Sequence, residues 1–483
     1  MTGVMQYPKL NLWIGNRALD RTESGESIPV INPADGTVLG MLPVAGAKEI
    51  ERAVDAAVQG FEQWADIAPF ERFRILSDAT SLIRQRCDSI AHTLTLEQGK
   101  PLAEACREVA LSADIIDFLA EEGKRLDGRE VSPRLKSIFT QTVRRVPVGP
   151  VAALTPWNFP ANLPSRKLGG ALAAGCSVIM KPSEETPATC MELVRAFMEA
   201  GVPEGVVNLV CGNPSAIANA LIANTRIAKI SFTGSVAVGK TLAAQAAGRM
   251  KRYTMELGGH APVVVCADAN PARVAALAVP AKFRNAGQVC AAPVRFIVHR
   301  SVYTEFRDAF VAQASSLKVG SGLEPGVHVG PLIHERRVVE MLSFVADAIG
   351  QGGRLLCGGK RVDRAGFFFE PTVLEGVSPR ARVQREEPFG PIALIDVFDD
   401  LKEAIDRANA LPYGLAAYGF THDLATADRL GRGLQAGMVG INHFGVSQPE
   451  TPFGGVKESG FGSESGLEGL LGYTDVKLVS IAS

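Results

Sequence analysis

The sequence predicts an α/β protein: two open-sheet lobes facing a cleft, with a small β element projecting from them. Three observations predict it. Residues 47–126 carry helical periodicity, short apolar runs recur every 20–30 residues beyond position 150, and a charged, alternating stretch at 134–146 fits neither pattern.

In the helical region Ile50, Val54, Ala57, Val58 and Phe61 fall on one face, at i, i+4, i+7, i+8 and i+11, the spacing of an amphipathic helix. A second periodic stretch runs from Phe70 to about Leu96, where QGKP (98–101) supplies a stop signal. A third runs from about Leu102 to Leu126. RLKSIFTQTVRRV (134–146) alternates and carries charge, which reads as a strand reaching solvent or another subunit. From there VAAL (151–154), CSVIM (176–180), VVNLV (206–210) and IAKISF (227–232) read as strands separated by helices. That alternation is the mark of βαβ units and a parallel sheet. A second series runs through APVVV (261–265), RFIVH (295–299) and IALIDVF (392–398), with no internal repeat or long linker.

The chain has 483 residues, enough for roughly three domains and for a core that needs no disulfides. Apolar residues at 46% and charged residues at 21% exclude wholesale disorder. Lys+Arg 50 against Asp+Glu 51 leaves a net charge of -1, which gives no global attraction to nucleic acid or an anionic membrane. MTGVMQYPKLNLWIGN lacks the basic and apolar regions of a secretory signal. The eight cysteines are scattered, with no C-x-x-C pair, as expected for reduced thiols in a cytoplasmic protein without a metal centre. Glycine is in mild excess, 49 residues, and glycine allows turns and close backbone approach to ligands.

Several segments bear chemistry. TPWNFP (155–160) puts Asn158 at the end of an apolar strand, where ligands of open α/β sheets collect; alone it slightly favours a simple Asn turn. IMKPSEETP (179–187) sets Lys181 and Glu184 beyond a strand, as a ribose donor and acceptor or as ordinary helix-start residues. GSVAVGKT (234–241) satisfies a phosphate-loop pattern, while G-x-G-x-x-G is absent from the chain. Both a nucleotide triphosphatase and a dinucleotide enzyme use such a helix N-terminus. MELGGH (255–260) offers Glu256 as a base. FRNAGQVC (283–290) offers Cys290 as a nucleophile opening a helix, whose dipole lowers a thiol pKa. QREEPFGP (384–391) carries Glu387 and Phe389 in a turn, and PFGGVKESGFG (452–462) reads as a glycine-dense cleft loop.

Together and in this order, PWNFP, KPSEETP, FTGSVAVGK, MELGGH, FRNAGQVC, EEPFGP and PFGGVKESG resemble the aldehyde dehydrogenase superfamily over nearly the whole chain. The resemblance implies an aldehyde dehydrogenase-like fold. Its cofactor-binding domain would span 1–126 and 148–257, its catalytic domain 258–450, its oligomerisation element 127–147 and 468–483, and its cleft loop 451–467. It implies Cys290 as nucleophile, Asn158 with the Cys290 N–H as oxyanion donors, Glu256 as the base of deacylation, and Lys167 and Glu464 as a proton relay. For the cofactor it implies Thr155, Trp157, Lys181, Ser183, Glu184, Gly234, Ser235, Glu387 and Phe389. A carboxylate at Glu184 would repel a 2′-phosphate, which favours NAD while leaving NADP possible.

LTLEQGKPLAEA (94–105), FLAEEGKRLDG (118–128) and INHFGVSQPETPFGGVKESGFGSESG (441–466) resemble the succinate-semialdehyde branch, including bacterial enzymes acting on succinic or α-ketoglutaric semialdehyde. Arg166, Arg284 and Ser447 then match contacts to the substrate's distal carboxylate. AAPV at 291–294 departs from the branch, which often has a further cysteine there. A broad or aromatic aldehyde dehydrogenase is the alternative, and a P-loop nucleotidase a remote one. A small aldehyde as partner and a homodimer or homotetramer complete the expectation.

Overall fold

The computed structural model describes residues 6–482. The first lobe is built on an eight-stranded sheet. Its five central strands are parallel, in the order Val207–Leu209, Val178–Lys181, Val151–Leu154, Lys229–Gly234, Arg252–Leu257. The chain winds outward from Val151–Leu154 in one direction and then crosses to Lys229–Gly234 on its other side. A topological switch point therefore lies between those two strands, and ligands collect at the carboxyl ends there.

The four predicted strands of this lobe form, Val151–Leu154 with the expected ends and the others shifted by one or two residues. Two edge additions were not anticipated. The hairpin Leu12–Ile14 and Arg17–Leu19 extends one side, and Gly460–Phe461 pairs antiparallel with Arg252–Leu257 on the other. Strands of two or three residues are too short to show periodicity in the sequence.

The helical region resolves into Ala47–Asp66, Pro69–Gln85, Cys87–Gln98 and Leu102–Gly123. The stretch expected from Phe70 to Leu96 is thus two helices, broken at Arg86 (φ -101°, ψ 11°). The break costs little of the apolar pattern because Arg86 departs only modestly from helical angles. Trp64 is fully buried, and its Nε1–H donates to the Leu172 carbonyl at 2.9 Å. That bond ties the first helix to Asn162–Ala174, a helix with every residue buried, Arg166 and Lys167 included. Two cations on a fully buried helix demand partners, and those partners lie in the site.

The second lobe carries a seven-stranded sheet that includes Ala261–Val265, Pro293–His299 and Ile392–Phe398, all three foreseen. A separate antiparallel sheet joins Arg129–Glu130, Ile138–Pro147 and Thr474–Ala482. Its middle strand is the alternating, charged segment of the sequence. Phe139, Val476 and Leu478 on this sheet are exposed.

Candidate active site

Cys290 does not open a helix, contrary to expectation. The helix Pro271–Phe283 ends, a tight turn Arg284–Gly287 follows, and Cys290 sits half-buried ahead of the strand Pro293–His299. No dipole is aimed at the thiol, and burial pushes its pKa up to about 12, with Glu387 and Glu256 adding repulsion. The turn holds three consecutive left-handed residues, Asn285 (φ 49°), Ala286 (φ 54°) and Gly287 (φ 72°). Each such non-glycine residue costs about 1–3 kcal/mol and persists only when its surroundings over-determine it. Here the Asn285 carboxamide accepts from Gln98 Nε2 at 2.7 Å and donates to the Asn158 carbonyl at 2.9 Å. The Gln288 side chain donates to the Asn285 carbonyl and accepts from the Ile333 N–H. At Gly287 a Cβ would stand 2.2 Å from the Gly390 carbonyl oxygen, so no larger residue fits.

Asn158 follows the strand Val151–Leu154, and its amide Nδ2 donates to the Gln288 carbonyl at 3.1 Å. One N–H remains for a ligand. Its backbone is gripped from below: Lys100 Nζ donates to the Asn158 carbonyl at 2.8 Å and pairs with Glu108. Glu108 in turn accepts from the Ala161 and Asn162 N–H groups at 2.9 and 3.2 Å. Both members of this pair are buried.

Glu256 lies at the end of Arg252–Leu257, beside Gly460 of the cleft loop. It is buried, and among the described residues neither carboxylate oxygen has a hydrogen-bond partner. Desolvation first, then repulsion from Glu464, holds its pKa well above the carboxylate range. Glu464 forms a buried ion pair with Lys167, and Ser231 bridges them, accepting from Lys167 at 3.1 Å and donating to Glu464 at 3.2 Å. Cys290, Asn158 and Glu256 line one cavity of about 340 Å³ with Trp157, Gly234, Ser235, Glu387 and Phe389.

That cavity continues into a groove of about 680 Å³ over the switch point, lined by Thr155, Trp157, Lys181, Ser183, Glu184 and Gly234. Lys181 and Glu184 pair at 2.5 Å, and Glu184 accepts from the Gly212 N–H at 3.2 Å. The hydroxyls of Thr155 and Thr233 are buried there without partners. Ser235 stands at the N-terminus of Val236–Ala247 with its side chain uncommitted, a ready anion contact. Orphaned hydroxyls, a paired acceptor and a free helix end fit a dinucleotide. Lys240, the lysine of the phosphate-loop pattern, instead pairs with Glu458 at 2.7 Å on the surface, so the nucleotidase reading loses its key cation.

Glu387 reaches the Gly258–Gly259 turn, where it accepts from the Gly259 N–H at 3.2 Å, and burial raises its pKa to about 7. A Cβ on residue 258 would lie 2.1 Å from its carboxylate. Phe389 adopts φ 43° and meets Trp157 edge-on, with ring centroids 5.6 Å apart.

On the other side of Cys290 lies a cavity of about 280 Å³ lined by Arg166, Arg284, Ser447 and Phe453. Arg166 donates from Nε to Asn162 at 3.0 Å, and from its terminal nitrogens to Ser447 at 2.8 Å and to Ser465. Its guanidinium lies 4.6 Å from the Phe453 ring centre. Among the described residues no carboxylate pairs with it. Arg284 is exposed at the rim, 5.9 Å from the centre of the Phe159 ring.

The sequence profile described as the aldehyde dehydrogenase family matches residues 20–479. The chain belongs to the aldehyde dehydrogenase family. It is therefore an oxidoreductase acting on aldehydes, in a family that uses NAD(P). It is 45% identical over 454 residues to 4-(hydroxymethyl)benzenesulfonate dehydrogenase TsaD1 of Comamonas testosteroni, covering 94% of each chain. It is 42% identical over 458 residues to succinate-semialdehyde dehydrogenase [NADP(+)] GabD of Escherichia coli (strain K12), covering 95% of each. A solved succinate-semialdehyde dehydrogenase from Burkholderia pseudomallei superposes with a TM-score of 0.95 at 42% identity, covering 98% of both chains.

Every site residue named from the sequence of this aldehyde dehydrogenase lines one of the three connected cavities, except Lys167 and Glu464, which lie behind Glu256. Sequence reasoning missed Lys100, Glu108, Asn285 and Gln288, which hold the reacting segments. It also missed His334 and Arg337, which line the first cavity. Arg337 donates to the Pro388 and Phe389 carbonyls and so fixes the strained turn.

Proposed function

We propose that this enzyme oxidises a small aldehyde bearing a distal anionic group, with succinic and α-ketoglutaric semialdehyde as the reference substrates and NAD as the preferred cofactor. The observation that carries this is Arg166: a buried guanidinium without a carboxylate partner, in the same cavity as Cys290. An unpaired buried charge is costly, and an incoming oxyanion relieves that cost with a charge-assisted contact. Ser447 presents its hydroxyl to the same point. The relatives named above are called after succinate semialdehyde and a benzenesulfonate, both anions, which supports the same reading.

The chemistry follows from the residues. Cys290 Sγ attacks the carbonyl carbon, and the oxyanion accepts from Asn158 Nδ2 and the Cys290 N–H; one such donor contributes about 3–4 kcal/mol. When bound, the nicotinamide supplies the hydride acceptor, leaving a Cys290 thioester. Glu256, ionised, takes a proton from water, and the hydroxide adds to the thioester and releases the acid and the thiolate. Lys167 and Glu464 lie behind Glu256 and offer the proton a way out. Glu387 and Phe389 flank the nicotinamide end of the groove, and Lys181 and Glu184 the adenosine end. The exposed three-stranded sheet is the surface on which a homodimer or homotetramer would form.

The aromatic alternative keeps the mechanism and has its own support, because Phe159, Phe453 and Leu163 share the substrate cavity. Steady-state rates on succinic semialdehyde, α-ketoglutaric semialdehyde, benzaldehyde and hexanal test the two. The anionic reading expects kcat/KM for the semialdehydes to exceed that for the neutral aldehydes by about 100-fold, the range of one charge-assisted contact. Equal values for all four would overturn it.

A further inference from the structure

Beyond Arg166 the substrate cavity opens into an outer chamber of about 610 Å³. The two share Glu104, Arg107, Arg284, Ala291 and Ser447. Nothing in the reaction above uses Arg107. It projects from the helix Leu102–Gly123, one turn beyond Glu104, so both face the opening. Arg107 is exposed, and among the described residues neither it nor Arg284 has an acidic partner. Glu104 is the one carboxylate in the chamber lining. It accepts from the Asn285 N–H at 3.0 Å; burial raises its pKa, while Lys100, Arg284 and Arg107 nearby pull it down without either arginine forming an ion pair with it. His328 is exposed, and its Nδ1 accepts from the Lys318 N–H at 3.2 Å. The remaining wall is mostly apolar and partly aromatic, with Phe283, Leu317, Val327, Tyr418 and Phe444, and its polar Gln448 donates to the Gly445 carbonyl at 3.3 Å.

A succinic semialdehyde seated on Arg166 would leave this chamber empty, which makes its composition informative. Surface arginines are ordinarily paired or solvated on a polar rim, whereas these two stand at the mouth of an apolar chamber. We propose that Arg107 and Arg284 form an outer anion station, and that the enzyme also accepts aldehydes whose carboxylate or sulfonate lies farther from the carbonyl, on an aryl or extended spacer. The spacer packs on Phe444, Leu317 and Val327, and the oxyanion lies between the two guanidinium groups. Arg107 is then a specificity-determining residue, while Arg166 and Ser447 serve the shorter substrates. This rests on the anionic-substrate reading above.

The test compares Arg107→Met and Arg107→Lys with the native enzyme on 4-formylbenzenesulfonate, 4-formylbenzoate, succinic semialdehyde and benzaldehyde. Arg107→Met is expected to lower the kcat/KM ratio of either long anion to benzaldehyde about tenfold, through KM rather than kcat. Arg107→Lys restores part of the loss, and the native KM for the long anions rises with salt more steeply than the variant's. The sulfonate and carboxylate arms show which oxyanion the station prefers. An unchanged ratio overturns the station. So does an equal fall on all four substrates, which marks a structural residue, or an equal fall on succinic semialdehyde, which marks general steering. If the native enzyme shows no preference for any anion over benzaldehyde, the anionic reading itself fails. If that preference exists and survives Arg107→Met, the outer station alone fails.

Discussion

The two sides of Cys290 handle charge differently. Toward the cofactor groove Lys181 is matched with Glu184, and behind the base Lys167 with Glu464, while on the substrate wall Lys100 is matched with Glu108. The arginines facing the substrate, Arg166 buried and Arg284 and Arg107 exposed, form no ion pair with an acidic residue among the described residues. Breaking a buried pair leaves an uncompensated charge and costs about 3–5 kcal/mol, so the matched pairs are a fixed scaffold. The unmatched arginines are completed only by a ligand. Charge pairing therefore separates groups that hold the shape of the site from groups that read the substrate.

The comparison breaks most sharply at the nucleophile between the two sides. Cys290→Ala is expected to abolish aldehyde oxidation, a loss of at least about 10⁴-fold on the scale of nucleophile deletions. NADH formation over a long incubation measures it, and residual turnover above that level would remove Cys290 from the mechanism. Glu256→Gln comes next, with a loss of about 10²–10⁴-fold in steady-state turnover, the range of general base catalysis. Its thioester should still form, so a burst of reduced cofactor remains while acid release stalls. A missing burst would place Glu256 before hydride transfer.

The pH dependence follows from the same two groups. The Glu256 pKa is raised, so ionised base becomes more abundant as pH rises, and burial holds the Cys290 thiol up at about 12. Native kcat, through Glu256, and kcat/KM, through Cys290, should therefore both climb from neutral into the alkaline range, without a plateau at pH 7. Stability runs the other way. A carboxyl with a raised folded-state pKa keeps its proton in the native state, so its contribution is lost as pH rises past the unfolded value toward the folded one. At neutral pH Glu256→Gln should thus raise the thermal midpoint while stopping turnover. A lower midpoint would mean that Glu256 is a structural pair member.

The sequence revealed the reacting groups well and their supports poorly. Cys290, Glu256 and Asn158 stand in compact segments whose glycines and prolines mark tight backbone, and the parallel strands are apolar runs visible one at a time. Lys100 is hidden because its partners are Glu108, eight positions further along, and Asn158, brought to it only by folding. Lys167 and Glu464 are separated by 297 positions, and local pattern alone gives neither away. The error at Cys290 has a related cause. A small, polar, glycine-bearing run looks like a helix start, whereas here it is a left-handed turn held open by Gln98, Asn158 and Gln288 side chains and backbone. Local residue types announced a constrained segment, and long-range hydrogen bonds decided which one.

The smallest effect expected lies at the matched pair of the cofactor groove. Glu184 accepts from Gly212 and Lys181, and its carboxylate faces the groove. A 2′-hydroxyl can donate to it, whereas a 2′-phosphate meets its charge, with Lys181 offsetting part of the repulsion. That balance predicts dual use with NAD ahead, by a margin of one screened charge contact. Glu184→Gln keeps the shape and removes the charge, freeing Lys181 for phosphate. The ratio of kcat/KM with NAD to that with NADP should then fall about tenfold, mostly through KM for NADP. The relative named for NADP makes the opposite starting preference a real outcome. If the native enzyme already favours NADP, Lys181 rather than Glu184 governs the choice, and Lys181→Met should be the variant that shifts it.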